Sequence, residues 1–475
     1  MTVAWPEHFQ ARLMGQHLGS SGLSSYAIAL EAWRRGLEVT FASNGLHVYS
    51  ISDGQSTITF SFSRPDSITR REDYRRLDRK SETVALLLEE GIPAPRGFLL
   101  DPVKTTDEML RKISEDLGYP LVLKPNIGSM GQGVLVGLAD WQELKAGYEY
   151  LANNFKAPQI IIEKHHAGDD HRILVVGEHV VGAVRRVPAH VMGNGVSNVA
   201  TLIEDKNTSR KRNPFLASGL IRIDYEVTKC LEAQGLGLND VPAEGADVQL
   251  RRVANASAGG DVVDVTDDLP DEIKEAAVRA VKKLPGILIA GVDVLYKMGQ
   301  PATPHNYVII EINSRPQIGV NMYPTSGRGR DAPLAIIDAL FPQTQRSNSF
   351  RMKTIRFNDK AVRSAILSGI ASKVTLPTLP AHLYPYRRKL RYEASGATVQ
   401  LGKFAGPTLQ KIARMHGVAG SVTFTKSGAM ELIVAAENQA STQPLVRKIS
   451  LLSGLEPVSA DPWEGPITTG FVIAK

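Results

Sequence analysis

The stretch VLKPNIGSMGQGVLVG, residues 122–137, constrains this chain more than any other. A β-rich apolar run delivers Lys124. Gly128, Gly131 and Gly133 follow at once, and a second apolar run, Val134–Val136, resumes. Strand, glycine loop, strand is a hairpin whose backbone can close over a polyphosphate, because glycine lets N–H groups converge on phosphate oxygens without a Cβ in the way. Lys124 adds a point charge at the end of the first strand. The loop is neither a P-loop nor a dinucleotide fingerprint. It lacks the Gly-Lys-Ser/Thr ending, and strand rather than helix follows the glycines.

Further along, Ile160–Ile162 run into Glu163, the polar segment Lys164–Asp170 interrupts, and Arg172–Val176 resumes a strand. Later come AGVDVLY, with Asp293 in an apolar strand, and YVIIEINSRP, with Glu311 and Asn313 two apart. A period of two places Glu311 and Asn313 on one strand face. Two carboxylates and an amide oxygen on adjacent strands suit Mg²⁺, a hard cation that keeps waters and substrate phosphates in its shell. A bare buried carboxylate such as Asp293 costs several kcal/mol, roughly, unless it is paired or metal-bound. His165 and His166 are adjacent, so on a strand they point different ways and do not make a metal pair.

This ordered set resembles the ATP-grasp ligases. The resemblance implies that Lys124 and the loop Gly128, Ser129, Met130, Gly131, Gly133 hold phosphates. It places Glu163, with Lys164 and the backbone of His165 and His166, at the adenine, and Asp170 at the ribose, with Asp169 beside it as the alternative. Asp293, Glu311 and Asn313 become the metal ligands. Lys80 stands where the family often has a second phosphate lysine, although the Thr-Lys pair usual after it reads Thr83-Val84 here. The segments 185–204 and 241–273 resemble the ATP-grasp modules of the cyanophycin synthetases and of the bifunctional glutathione synthetases, and the likeness runs from about Lys80 to Pro342. It implies ligand contacts for Asn255, Ser257, Gly259 and Gly260. Arg172 is expected at the substrate, and Arg186 and Arg315 are expected to steady an acyl-phosphate, with structural ion pairs as the plain alternative. ATP and Mg²⁺, with Mn²⁺ as a substitute, are the implied cofactors.

Composition is that of an ordinary globular chain: 475 residues, 43% apolar and 22% charged, with a net charge of +6 that suits anionic ligands. No nucleic-acid motif accompanies the basic residues. The lone Cys230 excludes an internal disulfide and sits at helical spacing, as a buried thiol would. No apolar run reaches the roughly 18 residues of a membrane span, and the N-terminus has no signal-peptide core, so a cytoplasmic protein is expected. A homo-oligomer stays open.

The expected fold class is α+β: two lobes of an ATP-grasp fold, a small N-terminal α/β unit at 1–75, a grasp domain at 76–345 with its small lobe at about 90–160, and a C-terminal domain at 350–475. In the tail a strand at 388–400, a helix at 407–417, a hairpin turning at Ser427-Gly428, a helix at 441–452 and a final strand, TTGFVIA, give a ferredoxin-like βαββαβ order. Its segment 410–437 resembles acylphosphatase. Ala405 or Gly406 stands where that family has its phosphate-clamping arginine, and Phe424 where it has the asparagine that orients water, so an inactive domain is expected. Lys403 is the remaining cation of that loop. The expected function is ATP-dependent amide or peptide bond formation on amino acids or a small peptide. A non-catalytic ATP sensor and an acyl-phosphate hydrolase are the alternatives.

Overall fold

The computed structural model describes residues 3–14, 18–43, 45–128, 131–303, 305–380, 383–394, 398–401 and 405–473. Ser129, Met130 and Lys403 lie outside them. The chain divides into two compact units. One comprises Met1–Trp5, Gln16–Ser24 and Ile58–Ala339, the other Pro6–Gly15, Ser25–Thr57 and Leu340–Lys475.

Two larger antiparallel sheets of the first unit, one of four strands and one of five, frame the site. α1 (Lys80–Glu89) leads into β1 (Gly97–Leu100), α2 (Asp107–Leu117), β2 (Leu121–Pro125), β3 (Leu135–Leu138), α3 (Trp141–Glu149) and β4 (Ile160–Lys164). The strands form a four-stranded sheet in the order β1–β4–β2–β3. Local signals start the helices: Thr106 accepts from the Met109 N–H at 3.2 Å and Asp140 from the Glu143 N–H at 2.9 Å, each satisfying a donor that the first turn leaves free. Leu110, Leu117, Leu121, Leu123, Leu144, Leu151, Ile160 and Ile162 make this lobe's core. Burying each such side chain contributes about 1.5–3 kcal/mol.

The second sheet is built from β5 (Asp169–Val176), β6 (His179–Val187), β7 (Asp261–Asp264), β8 (Ile289–Tyr296) and β9 (Tyr307–Asn313), in the order β7–β6–β5–β8–β9. Between β6 and β7, helices α4 (Val199–Arg212) and α5 (Tyr225–Glu232) carry their own small core, and Cys230 is buried on α5. One face of the sheet is covered by α6 (Asp271–Lys282), whose Ile273, Ala276, Ala277, Ala280 and Val281 are buried at helical spacing. Ile173, Val175, Val292, Val294, Ile309 and Ile312 meet it. The spacing of Ile309 and Ile312 is odd, because the β8–β9 register slips between Asp293 and Val294 and leaves Ile310 as an extra residue. That bulge shifts the phase of β9, so Glu311 and Asn313 fall on the face opposite α6.

In the second unit, segments far apart in the chain share a core. Trp33 donates to the Pro377 carbonyl at 2.8 Å, the buried Arg34 guanidinium donates to the His8 and Ile355 carbonyls at 2.6 Å each, and buried Glu31 pairs with Arg346 at 2.7 Å. Strand Glu38–Phe41 pairs with Val374–Thr375. The tail then runs β10 (Tyr386–Tyr392), α7 (Ala405–Met415), β11 (Ala419–Phe424), β12 (Met430–Ala436), α8 (Gln439–Ser453), β13 (Ser459–Pro462) and β14 (Phe471–Ile473), with sheet order β13–β10–β12–β11–β14. The βαββαβ order therefore closes on Ser459–Pro462, not on TTGFVIA as expected. Phe471–Ile473 instead adds a fifth strand, parallel to β11. The short polar SADP run carries no alternating apolar pattern, which hid it as an edge strand.

Among the described residues, no helix is long and apolar enough to cross a membrane.

Candidate active site

The small-lobe sheet delivers Lys124 and Glu163 to one place. Val122 pairs with Glu163 across β2 and β4, so Lys124, two residues on, shares its face. Its Nζ donates to Glu163 Oε1 at 2.7 Å, and both residues are buried. Beyond Lys124 the hairpin base is fastened by Asn126. Its N–H donates to the Gln159 carbonyl at 3.0 Å and its side-chain amide to Gln159 Oε1 at 2.9 Å. Its Oδ1 accepts from the Ser81 N–H at 3.0 Å and its carbonyl from the Lys80 N–H at 3.1 Å. α1 thus starts against the hairpin, and Lys80 Nζ donates to the Gly128 carbonyl at 2.6 Å. Gly131 and Gly133 adopt φ of +73° and +71°, a left-handed backbone that favours glycine.

We expect the amides of Gly131, Gln132, Gly133 and Val134 to exchange rapidly in the free protein and to slow when MgATP is added, since this end of the hairpin has few buried contacts. Hydrogen exchange read by mass spectrometry checks this, and equal exchange with and without nucleotide would refute a phosphate lid.

At the other end of β4, Lys164 Nζ donates to the Gly118 and Tyr119 carbonyls at 2.9 and 2.8 Å, and the His165 N–H to the Pro120 carbonyl at 3.1 Å. Burial, with the charges of His165 and Lys164, holds His166 below the usual histidine range.

On the large sheet the site is a row of charges across four strands. Cross-strand register sets Arg186 opposite Asp170, Arg172 opposite Asp293, and Asp293 opposite Glu311. Arg172 grips both carboxylate oxygens of the buried Asp293, with Nη2 to Oδ2 at 2.8 Å. Arg186 donates to Asp170 at 2.5 and 3.0 Å and lies 3.4 Å from Asp293 Oδ2. Gly291 makes this possible, because a Cβ there would stand 3.1 Å from the Arg172 side chain. Burial opposes the charge on Asp293, but the guanidiniums of Arg172 and Arg186 outweigh it and hold the group below the usual carboxylate range. Asp170 is pushed upward by burial and by Asp293, against the pull of Arg186. Glu311 is pushed upward, first by burial and then by the charge of Asp293, against the pull of Lys80, Arg172 and Lys124. Lys80 is pushed downward by burial, with Glu311 opposing.

His171, in the same stretch of β5, is not part of the row. It is fully buried and burial pushes it down to about 4, so it is neutral near pH 7.

The donor chemistry fits a divalent cation. Two carboxylates meet in register, one of them raised by burial and then by its neighbour's charge, and Asn313 follows on the same strand face; a cation would relieve that repulsion. Among the described residues no group of three or more His, Cys, Asp or Glu side chains is placed to hold a metal. A cation at this place would have two acids and an amide to draw on.

The Asn255–Gly260 turn is an internally closed structure. Asn255 Oδ1 accepts from the Ser257 N–H at 3.0 Å and from its hydroxyl at 2.7 Å, and the Gly260 N–H donates to the Asn255 carbonyl at 2.9 Å. Arg210 pins it by donating to the Ala256 and Gly260 carbonyls at 2.8 and 2.9 Å. It leads into β7, where Val262 pairs with Arg186, but no hydrogen bond or ion pair among the described residues joins the turn to the charge row.

Sequence reasoning missed Asn126 and a brace on the segment after β9. Ser63 Oγ donates to the Pro316 carbonyl at 2.7 Å and Arg64 to Ser314 Oγ at 3.3 Å. Asn126 had a signal, standing two residues after Lys124. The brace had none, since it joins positions about 250 residues apart.

Residues 77–201 match the RimK-like ATP-grasp domain. A cyanophycin synthetase of Nostoc sp. (strain PCC 7120) is 35% identical over 335 residues, covering 70% of this chain and 34% of that protein. The bifunctional glutathione biosynthesis protein GshAB of Clostridium perfringens is 30% identical over 325 residues, covering 67% of this chain and 41% of that protein. A crystal structure of a bifunctional glutathione synthetase from Pasteurella multocida aligns with a TM-score of 0.54 at 24% identity, over 68% of this chain and 43% of that one. The matched region thus spans less than half the length of these relatives.

Proposed function

The chain carries a RimK-like ATP-grasp domain, and from that premise we propose that it is an ADP-forming carboxylate–amine ligase acting on an amino acid or a small peptide. The observation that carries this reading is the balance of charge at the site. Lys80, Lys124, Arg172 and Arg186 stand with Glu163, Asp170, Asp293 and Glu311, and the eight charges cancel. A bound polyphosphate therefore needs cations of its own. Glu311 and Asn313, on the face of Asp293, are the oxygens available to hold them.

ATP-grasp ligases use ATP and a divalent metal. Asp293, Glu311 and Asn313 would hold that metal, Mg²⁺ in our reading, and the chemistry it would supply is neutralisation of phosphate charge. Lys124, Lys80 and the Gly128–Gly133 backbone would hold the β- and γ-phosphates, Glu163 to His166 the adenine, and Asp170 the ribose. Lys124 would then exchange Glu163 for phosphate. Asp170 would remain shared with Arg186, which narrows what it can offer a ribose.

A substrate carboxylate oxygen attacks the γ-phosphorus, the bond from that phosphorus to the bridging oxygen breaks, and ADP leaves. The amine of the second substrate then attacks the acyl carbon of the acyl-phosphate. The C–O bond breaks, phosphate leaves with the electron pair, and the amine's proton passes to solvent or phosphate. No protein nucleophile takes part, so catalysis rests on positioning and on offsetting charge. Of the two arginines expected to steady the acyl-phosphate, Arg186 stands in the charge row.

The test is ADP formation with pooled amino acids, followed by mass spectrometry of the products. Amine-dependent ADP release with a new amide supports the ligase. Tight ATP binding without turnover would mean a sensor. Hydrolysis of a simple acyl-phosphate without ATP would mean that the tail domain works as a phosphatase, against the reading that Ala405, Gly406 and Phe424 leave it inactive.

A further inference from the structure

Beside the end of β9 lies a cavity of about 180 Å³ lined by Ser21, Ser24, Phe62, Arg315, Pro316 and Gln317. It falls below the roughly 300 Å³ at which pockets for drug-sized ligands begin, so it suits one end of a small substrate, not a nucleotide.

Its cation is unlike its neighbours. Arg172 and Arg186 are held by carboxylates, and Arg64 by Asp66 and Ser314. Arg315 makes no ion pair or hydrogen bond with any described residue; its guanidinium lies 5.9 Å from the Phe62 ring centroid. Phe62 holds that place at a cost. It occupies the two-residue turn between paired Ser61 and Arg64 with φ +58°, a left-handed conformation that costs an L-residue about 1–2 kcal/mol. The neighbouring Ser63 and Arg64 tie the turn to Pro316 and Ser314, so ring and guanidinium are fixed against one another. Strain maintained by such bracing is the mark of a positioned group.

We propose that this cavity binds a carboxylate of the substrate other than the one being phosphorylated, with Arg315 as its clamp. The inference rests on the ligase reading and narrows it to substrates that keep a free carboxylate beside the reacting group. Arg315 lies two residues past Asn313, so at most about 7 Å of chain separates the clamp from the expected metal ligands. That is the scale on which one amino acid's α-carboxylate and its reacting end can engage both. A guanidinium backed by an aromatic face, with polar side chains around it, matches a planar carboxylate better than a neutral amide. The carboxylate can belong to the acyl donor or to the incoming amino acid.

Two readouts test the proposal on the full-length protein. In the first, phenylglyoxal modification of Arg315 is mapped by peptide mass spectrometry with MgADP present. Pooled L-amino acids should slow it several-fold, and the same amino acids as α-carboxamides should not. Equal protection by both pools, or by neither, overturns the proposal. In the second, Arg315→Gln is compared with the wild type by steady-state ADP formation. The KM of the protected amino acid should rise about 10–100-fold, as loss of a charge-assisted contact implies, while the KM for ATP stays unchanged. A fall in kcat with that KM unmoved would instead place Arg315 on the acyl-phosphate and overturn the assignment. If the wild type forms no ADP with any amine, the ligase reading fails, and the protection experiment still decides the cavity. The product's mass and fragmentation tell whether the clamped amino acid contributes its acyl group or its amine.

Discussion

Glu311→Gln should reduce amide formation by about 100- to 1,000-fold while leaving most ATP binding intact. The reason is the geometry of β8 and β9. Asp293 and Glu311 face each other across the strands, and a cation held by them would contribute most where charge develops in the transition state. Removing one formal charge should take about 3–4 kcal/mol from that stage and less from ground-state affinity. Folding stability should move the other way. Glu311 is raised by burial and by Asp293. A carboxyl raised in the fold binds its proton more tightly there than in the unfolded chain, so it lowers stability as pH climbs above its ordinary range. At neutral pH the wild type carries that cost and the glutamine variant does not. The expected result is an enzyme as stable as the wild type, or more so, that is nearly inactive. Near-normal turnover at saturating Mg²⁺ would remove Glu311 from the metal site, and a marked loss in melting temperature would contradict the charge argument.

Arg172→Met should lower stability by about 3–5 kcal/mol, the range for leaving one partner of a buried ion pair alone. Both Asp293 oxygens lose their main donor, Arg186 remains only at 3.4 Å, and Glu311 stands opposite with its own negative charge. The informative comparison is the double variant Arg172→Met with Asp293→Leu. Replacing both partners by apolar groups removes the uncompensated carboxylate, so the double variant should be more stable than Arg172→Met alone. Urea unfolding of the three proteins measures this. A double variant less stable than the single one would show that Arg172 contributes by packing and not by neutralising Asp293.

The hairpin and the strand faces of this site were legible because they sit in local patterns. A strand, a glycine loop and a second strand announce a hairpin, and Glu311 and Asn313 share a face at period two. Helix Asp107–Leu117, capped by Thr106, is likewise set by residues close together in the chain. What sequence could not supply was phase and partnership. Nothing in YVIIEIN marks Ile310 as the bulged residue, yet that one extra residue decides which face Glu311 takes. Nor does the sequence reveal that Lys124 rests on Glu163, or that Arg172 and Arg186 converge on Asp293. These are long-range pairings set by sheet register. The edge strand Ser459–Pro462 was missed because it lacks alternation, and the brace from Ser63 and Arg64 because nothing local encodes it.

The interleaved core of the second unit has a consequence for the protein's biosynthesis. Trp33 and the Pro377 carbonyl that accepts its N–H are 344 residues apart. Ribosomes add about 5–20 residues per second, so roughly 20–70 s pass between the synthesis of the two. During that interval Trp33, Phe41 and Tyr49, all buried in the finished protein, lack the later chain segments they pack with. Every nascent chain therefore passes through a stage in which its N-terminal apolar segment is exposed while later residues emerge. That stage, more than the equilibrium stability of the finished fold, is where chaperone binding or aggregation would decide the yield of active protein.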